Sequence, residues 1–190
     1  MNKPSGMLSV PGKSQRESVI SILQDRCKDG ETPLVVHRLD MDTSGLLLVA
    51  KHKTSHYRLQ KQFRDKKIQK TYVAVLDGEP LPIGEEGCIE LPLSPDLMHR
   101  PFQKVDKGRG KPAVTLYRVV GEHVVELHPL TGRTPQVRVH CAHAEGLVRP
   151  IKGDNLYGRR ADRLYLHAAR IAFAHPMSGE MMVFERKPEW

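Results

Sequence analysis

No stretch of this chain approaches the ~18 consecutive apolar residues that a membrane-spanning helix needs, and its N-terminus carries no long apolar run. A protein of the cytoplasm, away from membranes, is therefore expected. Cysteine is scarce. Cys27, Cys88 and Cys141 are odd in number, widely spaced and without a CxxC pair. That pattern indicates neither a zinc site nor a disulfide framework, and it fits a reducing compartment. GxGxxG and GxxxxGK[ST] are both missing, so a nucleotide cofactor has no obvious cradle. Without GxSxG there is no nucleophile elbow, and without HExxH no zinc-protease helix. Internal repeats and low-complexity tracts are missing too. Acid is in short supply: 30 Lys and Arg face 22 Asp and Glu, a net charge of +8.

The positive excess is clustered. Lys51, Lys53, Arg58, Lys61, Arg64, Lys66, Lys67 and Lys70 stand against the single acid Asp65. A second cluster runs from Arg100 to Lys111, and a third from Arg149 to Arg163. Such clustering favours a polyanionic partner over a merely solvated face. With 190 residues the chain can bury about two thirds of its unfolded surface. One domain spanning residues 1–190 is expected, without disulfide or structural metal.

Hydrophobic spacing outlines the elements. Ser14-Gln15-Arg16-Glu17 reads as a capping box before Val19, Ile20, Leu23 and Cys27, with Gly30 just past the helix end. Residues 33–37 and 45–50 read as strands, the second apolar enough to be central. Thr54 or Ser55 would cap a basic helix that turns Leu59 and Phe63 inward. Residues 70–76 alternate as a strand, with Tyr72 and Ala74 on one face. Residues 77–112, rich in Pro and Gly, predict short strands and long loops. Strands at 113–120 and 123–128 flank a Gly121-Glu122 turn, a hairpin. Thr134 and Pro135 would open a helix ending near Gly146. Strands at 164–174 and 181–185 close the chain around a Pro176–Gly179 turn. Strands outnumber helices without regular alternation, which predicts a mixed, largely antiparallel α+β fold.

The densest polar cluster, His37-Arg38-Leu39-Asp40-Met41-Asp42-Thr43-Ser44-Gly45, lies between two apolar strands. Chemistry commonly occupies such a turn. Asp42-Thr43-Ser44-Gly45 matches an aspartic-protease signature, but that chemistry needs two carboxylates sharing one proton and the motif occurs once. His140 and His143, three apart on a predicted helix, lack the further ligands that zinc requires. On the residues alone, Asp40 is as readily a turn-capping carboxylate as a catalytic one.

The ordered segments KPSGMLSVPG, HRLDMDTSGLLLVAK, QKTYVAVLDG, HPLTGRTPQVRVH, PIKGD and RLYLHA resemble those of RluA-type pseudouridine synthases over nearly the whole chain. The N-terminal lead and PDLMHRPFQKV further resemble the branch that modifies both large-subunit ribosomal RNA and a tRNA anticodon loop. The resemblance implies a curved mixed, largely antiparallel sheet flanked by helices. It makes Asp40 the catalytic aspartate and Tyr72 the residue that stacks on uracil and helps remove the C5 proton. Arg138 would pair with the aspartate, and Arg38 would fill the space of the extruded nucleotide. Leu166, with Leu164 as near neighbour, would line the site, and His37 and Arg133 would contact substrate. A monomer acting on RNA, not on DNA, is implied.

The chemistry suits this set. Isomerisation breaks the N1–C1′ bond and remakes it through C5, with nothing added and no net redox change, so neither metal nor cofactor is needed. It does need a carboxylate ionised at neutral pH although sheltered from water, and a bidentate arginine opposes the effect of burial. A paired uridine must also be flipped out, at a cost of a few kcal/mol. An RNA-binding or ribosome-assembly protein on the same fold is the alternative. Two departures stand out. Pro135 replaces the histidine usual after TGRT, and the chain begins almost at KPSG, where relatives carry a preceding strand.

Overall fold

The computed structural model describes residues 1–12, 17–27 and 31–190. Two compact units divide the chain: Met1–Lys70 with His167–Glu189, and Thr71–Leu166 with Trp190.

In the first unit, β1 (Asn2–Lys3) pairs antiparallel with β3 (Ser44–Leu46), and β3 pairs in parallel with the start of β11 (Leu166–Ala174) at His167 and Ala168. β12 (Met181–Glu185) runs antiparallel along Arg170–Ala174. The expected 176–179 turn joins β11 to β12, closed by His175 N–H to the Glu180 carbonyl at 2.7 Å. A separate ribbon pairs β2 (Leu34–Val35) with β4 (Val49–Ala50).

Residues 45–50 are thus two strands in two sheets rather than one central strand. The ladder changes hands at Leu47 and Leu48. Leu47 N–H goes to the Met1 carbonyl at 2.9 Å, while Leu48 N–H goes to His37 Nε2 at 3.1 Å. An apolar run cannot announce that change, since both halves are buried.

α1 (Val19–Gln24) starts at a reciprocal box between Ser18 and Ser21, with Ser21 N–H to Ser18 Oγ at 3.2 Å and Ser18 N–H to Ser21 Oγ at 2.9 Å. Residues 14–16 of the expected box, and Gly30, lie outside the described residues. α2 (Lys53–Arg64) begins one residue before the expected Thr54 cap, with His52 as N-cap and no side-chain bond there. Its inner face is as expected: Leu59 is buried and Phe63 packs beside it, against Val36, Ala50, Ile68, Ile171 and Phe173.

In the second unit, β5 (Gln69–Val75), β10 (Val124–Pro129), β9 (Val114–Val119) and β6 (Glu86–Glu90) lie in that spatial order, all antiparallel. The hairpin at Gly121-Glu122 forms as its turn chemistry predicts. Val120 N–H reaches the Val124 carbonyl at 2.9 Å, and Val124 N–H the Gly121 carbonyl at 3.1 Å. β7 (Leu93–Pro95) and β8 (Gln103–Val105) make a second hairpin.

α3 (Gln136–Ala142) has Pro135, not Thr134, as N-cap, and it ends before His143 rather than near Gly146. The start of α3 is held by Gln136 instead. Its Oε1 accepts from Thr131 Oγ1 at 2.7 Å and from Arg133 N–H at 3.1 Å, while Nε2 donates to Val114 O and Thr115 Oγ1 at 2.9 Å each. Val137 and Cys141 of α3 join Ala74, Leu127, Ile151, Leu164 and Leu166 in the core, with Tyr72 against its edge. The architecture is therefore α+β with mixed, mostly antiparallel pairing.

Candidate active site

Within the first unit, Asp40 sits in a tight turn closed by Thr43 N–H on the Asp40 carbonyl at 3.2 Å. The N-terminal segment fastens this turn from several sides. Ser9 Oγ donates to the Leu39 carbonyl at 2.8 Å and accepts from Leu39 N–H at 3.1 Å. Ser5 Oγ reaches the Asp42 carbonyl at 2.7 Å, and Gly6 N–H the Met41 carbonyl at 2.9 Å.

Lys3 lies at the centre of this arrangement, with no solvent exposure. Its ammonium donates to the carbonyls of Pro4, Met7 and Met41 at 2.9, 2.8 and 2.9 Å. Three N–H donors meet three acceptors. Burial lowers its pKa to about 8, against the pull of Asp42 and Asp40. Sequence reasoning missed Lys3. Its only signal was its place at the head of the KPSG segment.

Arg38 is exposed beside Asp40, where it can reach a large ligand. His37, expected as a substrate contact, has its ring engaged inside the unit. Nε2 accepts from Leu48 N–H at 3.1 Å, so the imidazole is neutral, and the ring packs 4.9 Å from Phe63. Burial, with Lys70 and the N-terminal amine, lowers its pKa to about 3. The aspartic-protease look-alike resolves into structure. Ser44 Oγ lies 2.9 Å from His167 Nδ1 in the interior, and His167 Nε2 lies 3.1 Å from the Arg186 carbonyl.

Arg138, Tyr72, Leu166 and Arg133 belong to the second unit. Arg138 makes a bidentate pair there with Asp154. Nε donates to Oδ2 at 2.8 Å and Nη2 to Oδ1 at 2.6 Å, with Asn155 Oδ1 at 3.1 Å from Nη2. Arg138 is 4% exposed and Asp154 0%. A carboxylate so far from water needs several donors, and Leu156 N–H and Tyr157 N–H add two at 2.8 and 3.0 Å. Asp154 stands 16 residues from Arg138, a separation at which no local periodicity reveals a partner.

Tyr72 pairs across the sheet with Leu127, half-buried on the core that holds both Leu164 and Leu166. Arg133 is exposed and donates to the Pro112 carbonyl at 3.2 Å. His140 is a core residue, its Nε2 3.2 Å from the Leu91 carbonyl, with its pKa lowered to about 4 chiefly by burial. His143 Nδ1 accepts from Glu145 N–H at 3.1 Å. Among the described residues no group of three His, Cys, Asp or Glu converges on a cation position.

A family model described as RNA pseudouridylate synthase matches residues 1–143, covering the Asp40 turn, Tyr72 and Arg138. The chain belongs to this family. Relatives match over nearly its whole length. The dual-specificity RNA pseudouridine synthase RluA of Haemophilus ducreyi is 42% identical over 202 residues, covering 99% of this chain and 88% of that protein. The Escherichia coli K12 protein of the same description is 42% identical over 97% of this chain and 86% of its own. Among solved structures, human RNA pseudouridylate synthase domain containing 4 superposes with a TM-score of 0.75 at 25% identity, covering 99% of this chain and 84% of that one. Human RNA pseudouridylate synthase domain containing 1 gives 0.69 at 29% identity, covering 82% and 69%. As a pseudouridine synthase the chain is an isomerase acting on RNA. Among its described residues no helix is long and apolar enough to cross a membrane.

Proposed function

We propose that this pseudouridine synthase modifies two RNA classes, large-subunit ribosomal RNA and a tRNA anticodon stem-loop. The observation that carries the reading is the likeness to dual-specificity enzymes at 42% identity across 97–99% of the chain. Asp40 is the catalytic carboxylate. Tyr72 stacks on the uracil and assists loss of the C5 proton. Arg138 supplies positive charge from a guanidinium held rigid by Asp154. Arg38 takes the place of the flipped nucleotide, Leu166 lines the base pocket and Arg133 contacts the RNA backbone. His37 acts by positioning the segment that leads into Arg38 and Asp40.

The N1–C1′ bond breaks and C5 bonds to C1′. The C5 proton is then lost and N1 gains one, so atoms and electrons balance without metal or organic cofactor. The whole chain works as one catalytic domain, as a monomer in the cytoplasm. The test is to incubate the purified protein with ribosomal RNA fragments and with tRNA anticodon stem-loops, then map pseudouridine at nucleotide resolution. Modification at defined uridines in both classes is expected. Modification in one class alone would refute dual specificity, and none in either would refute the reading.

A further inference from the structure

The β7–β8 hairpin presents an apolar tip with basic neighbours. Leu97 is 70% exposed and Met98 86%, with Arg100 exposed beside them. An apolar, basic tip is poorly suited to water and well suited to unstacked bases and phosphates. The tip is nevertheless built firmly. Asp96 Oδ1 accepts from Met98 N–H at 3.0 Å and from His99 N–H at 3.3 Å, and Phe102 N–H reaches the His99 carbonyl at 2.9 Å.

At its base the hairpin packs on Val139 and Ala113 and meets Tyr157. The phenol oxygen accepts from Gln103 N–H at 2.8 Å and donates to the Gln103 carbonyl at 3.4 Å, engaging both polar groups of that peptide edge as a neighbouring strand would. Its ring meets Phe102 edge to face, with centroids 5.6 Å apart and planes at 83°. The other face of the link points to the arginine. The Arg138 guanidinium carbon lies 5.9 Å from the Tyr157 ring centroid. Tyr157 N–H donates to the same Asp154 oxygen that Arg138 Nη2 grips.

We propose that Tyr157 is a positioning residue, a strut that transmits seating of RNA on the 96–102 tip to the guanidinium of Arg138. The inference rests on the proposed function and assigns it a substrate-responsive element. The fork on Asp154 fixes where the guanidinium sits, and displacements of about 1 Å at such a group are worth up to about 100-fold in rate. RNA pressed on the tip loads β8. Through the phenol it loads the residue 154–157 turn, whose N–H groups hold Asp154. Tyr157→Phe cuts this link at the Gln103 end while keeping the ring over Arg138.

A double-mutant cycle supplies the coupling evidence that a structural path alone lacks. Single-turnover rates at saturating RNA and dissociation constants are measured on one stem-loop transcript for four proteins. These are wild type, Tyr157→Phe, the tip variant Leu97→Ser with Met98→Ser, and the combination. Tyr157→Phe is expected to bind within about twofold of wild type and react roughly tenfold slower, the effect of one to two lost hydrogen bonds expressed in the rate. The tip variant should bind more weakly and also react more slowly when saturated. The combined protein should be no slower than the slower parent.

Rate losses that multiply would overturn the strut, as would Tyr157→Phe reacting at the wild-type rate. Melting curves check that each variant folds. Should Tyr157→Phe not fold, Phe102→Leu loosens the same joint from the hairpin side, and the same non-multiplying pattern is expected. A wild type inactive on every transcript overturns the functional reading, and the strut with it.

Discussion

Lys3 shows how much of the Asp40 turn rests on one side chain. Its ammonium serves three carbonyls at once, and one of them, Met41, is the residue next to Asp40 and also accepts from Gly6 N–H. Lys3→Met keeps the stem and strands buried acceptors, each worth about 1–3 kcal/mol. A loss on the order of 3 kcal/mol is expected in urea unfolding, together with a fall in turnover, because the turn loosens around its carboxylate. The pH dependence has a definite sign. With a folded pKa of about 8 against 10.5 in the open chain, the unfolded state holds a proton that the folded state has released between those values. Stability from Lys3 therefore rises with pH in that window, and the gap between wild type and Lys3→Met should widen from pH 7.5 to pH 10. A gap that narrows would contradict the burial argument. A lysine in a turn-rich N-terminal segment reads as solvated, since its burial depends on a carbonyl 38 residues away. Asp40 stands out in the sequence because its polar neighbours interrupt an otherwise apolar pattern. Asp154 does not, its partner lying 16 residues off in a different motif.

At the scale of elements, local turn chemistry was the most legible. Gly121-Glu122 predicted its hairpin, and Leu59 with Phe63 predicted the buried face of α2. Apolar runs without alternation were not legible, and residues 45–50 divided into β3 and β4 because backbone partners, rather than polarity, decide where a ladder ends. Gly45 makes that division possible. It has φ +110°, and a methyl at its Cα would overlap the Ala168 peptide to which β3 pairs. Gly45→Ala combines backbone strain with a clash against a strand that cannot yield. A loss of at least about 2 kcal/mol is expected, read as a lowered thermal midpoint. Gly6→Ala is the control: φ is +79° there but nothing stands within 4 Å, so only the strain component should appear. Equal losses at the two positions would remove the packing argument for β3–β11.

For the whole molecule, the α+β class and the family were legible because six motif segments keep their order along 190 residues. The division into two units was not, since its boundaries fall inside β5 and β11, where no linker composition marks them. The net charge of +8 should express itself as salt-sensitive RNA affinity, with each lost phosphate contact lowering the log–log slope by about 0.7–0.9. Lys61 and Lys107 already pair with Asp65 and Glu145, so Arg64 and Lys66 are the better residues to reverse. Arg64→Glu with Lys66→Glu should weaken binding to all RNAs alike. An unchanged slope would show those charges to be merely solvated. The central claim, isomerisation dependent on Asp40, is tested most directly by tritium release from RNA carrying [5-³H]uridine. Wild type should release tritium in proportion to pseudouridine formed. Asp40→Asn, which keeps the shape but not the charge, should bind the same RNA and release none; release at the wild-type rate would contradict the account.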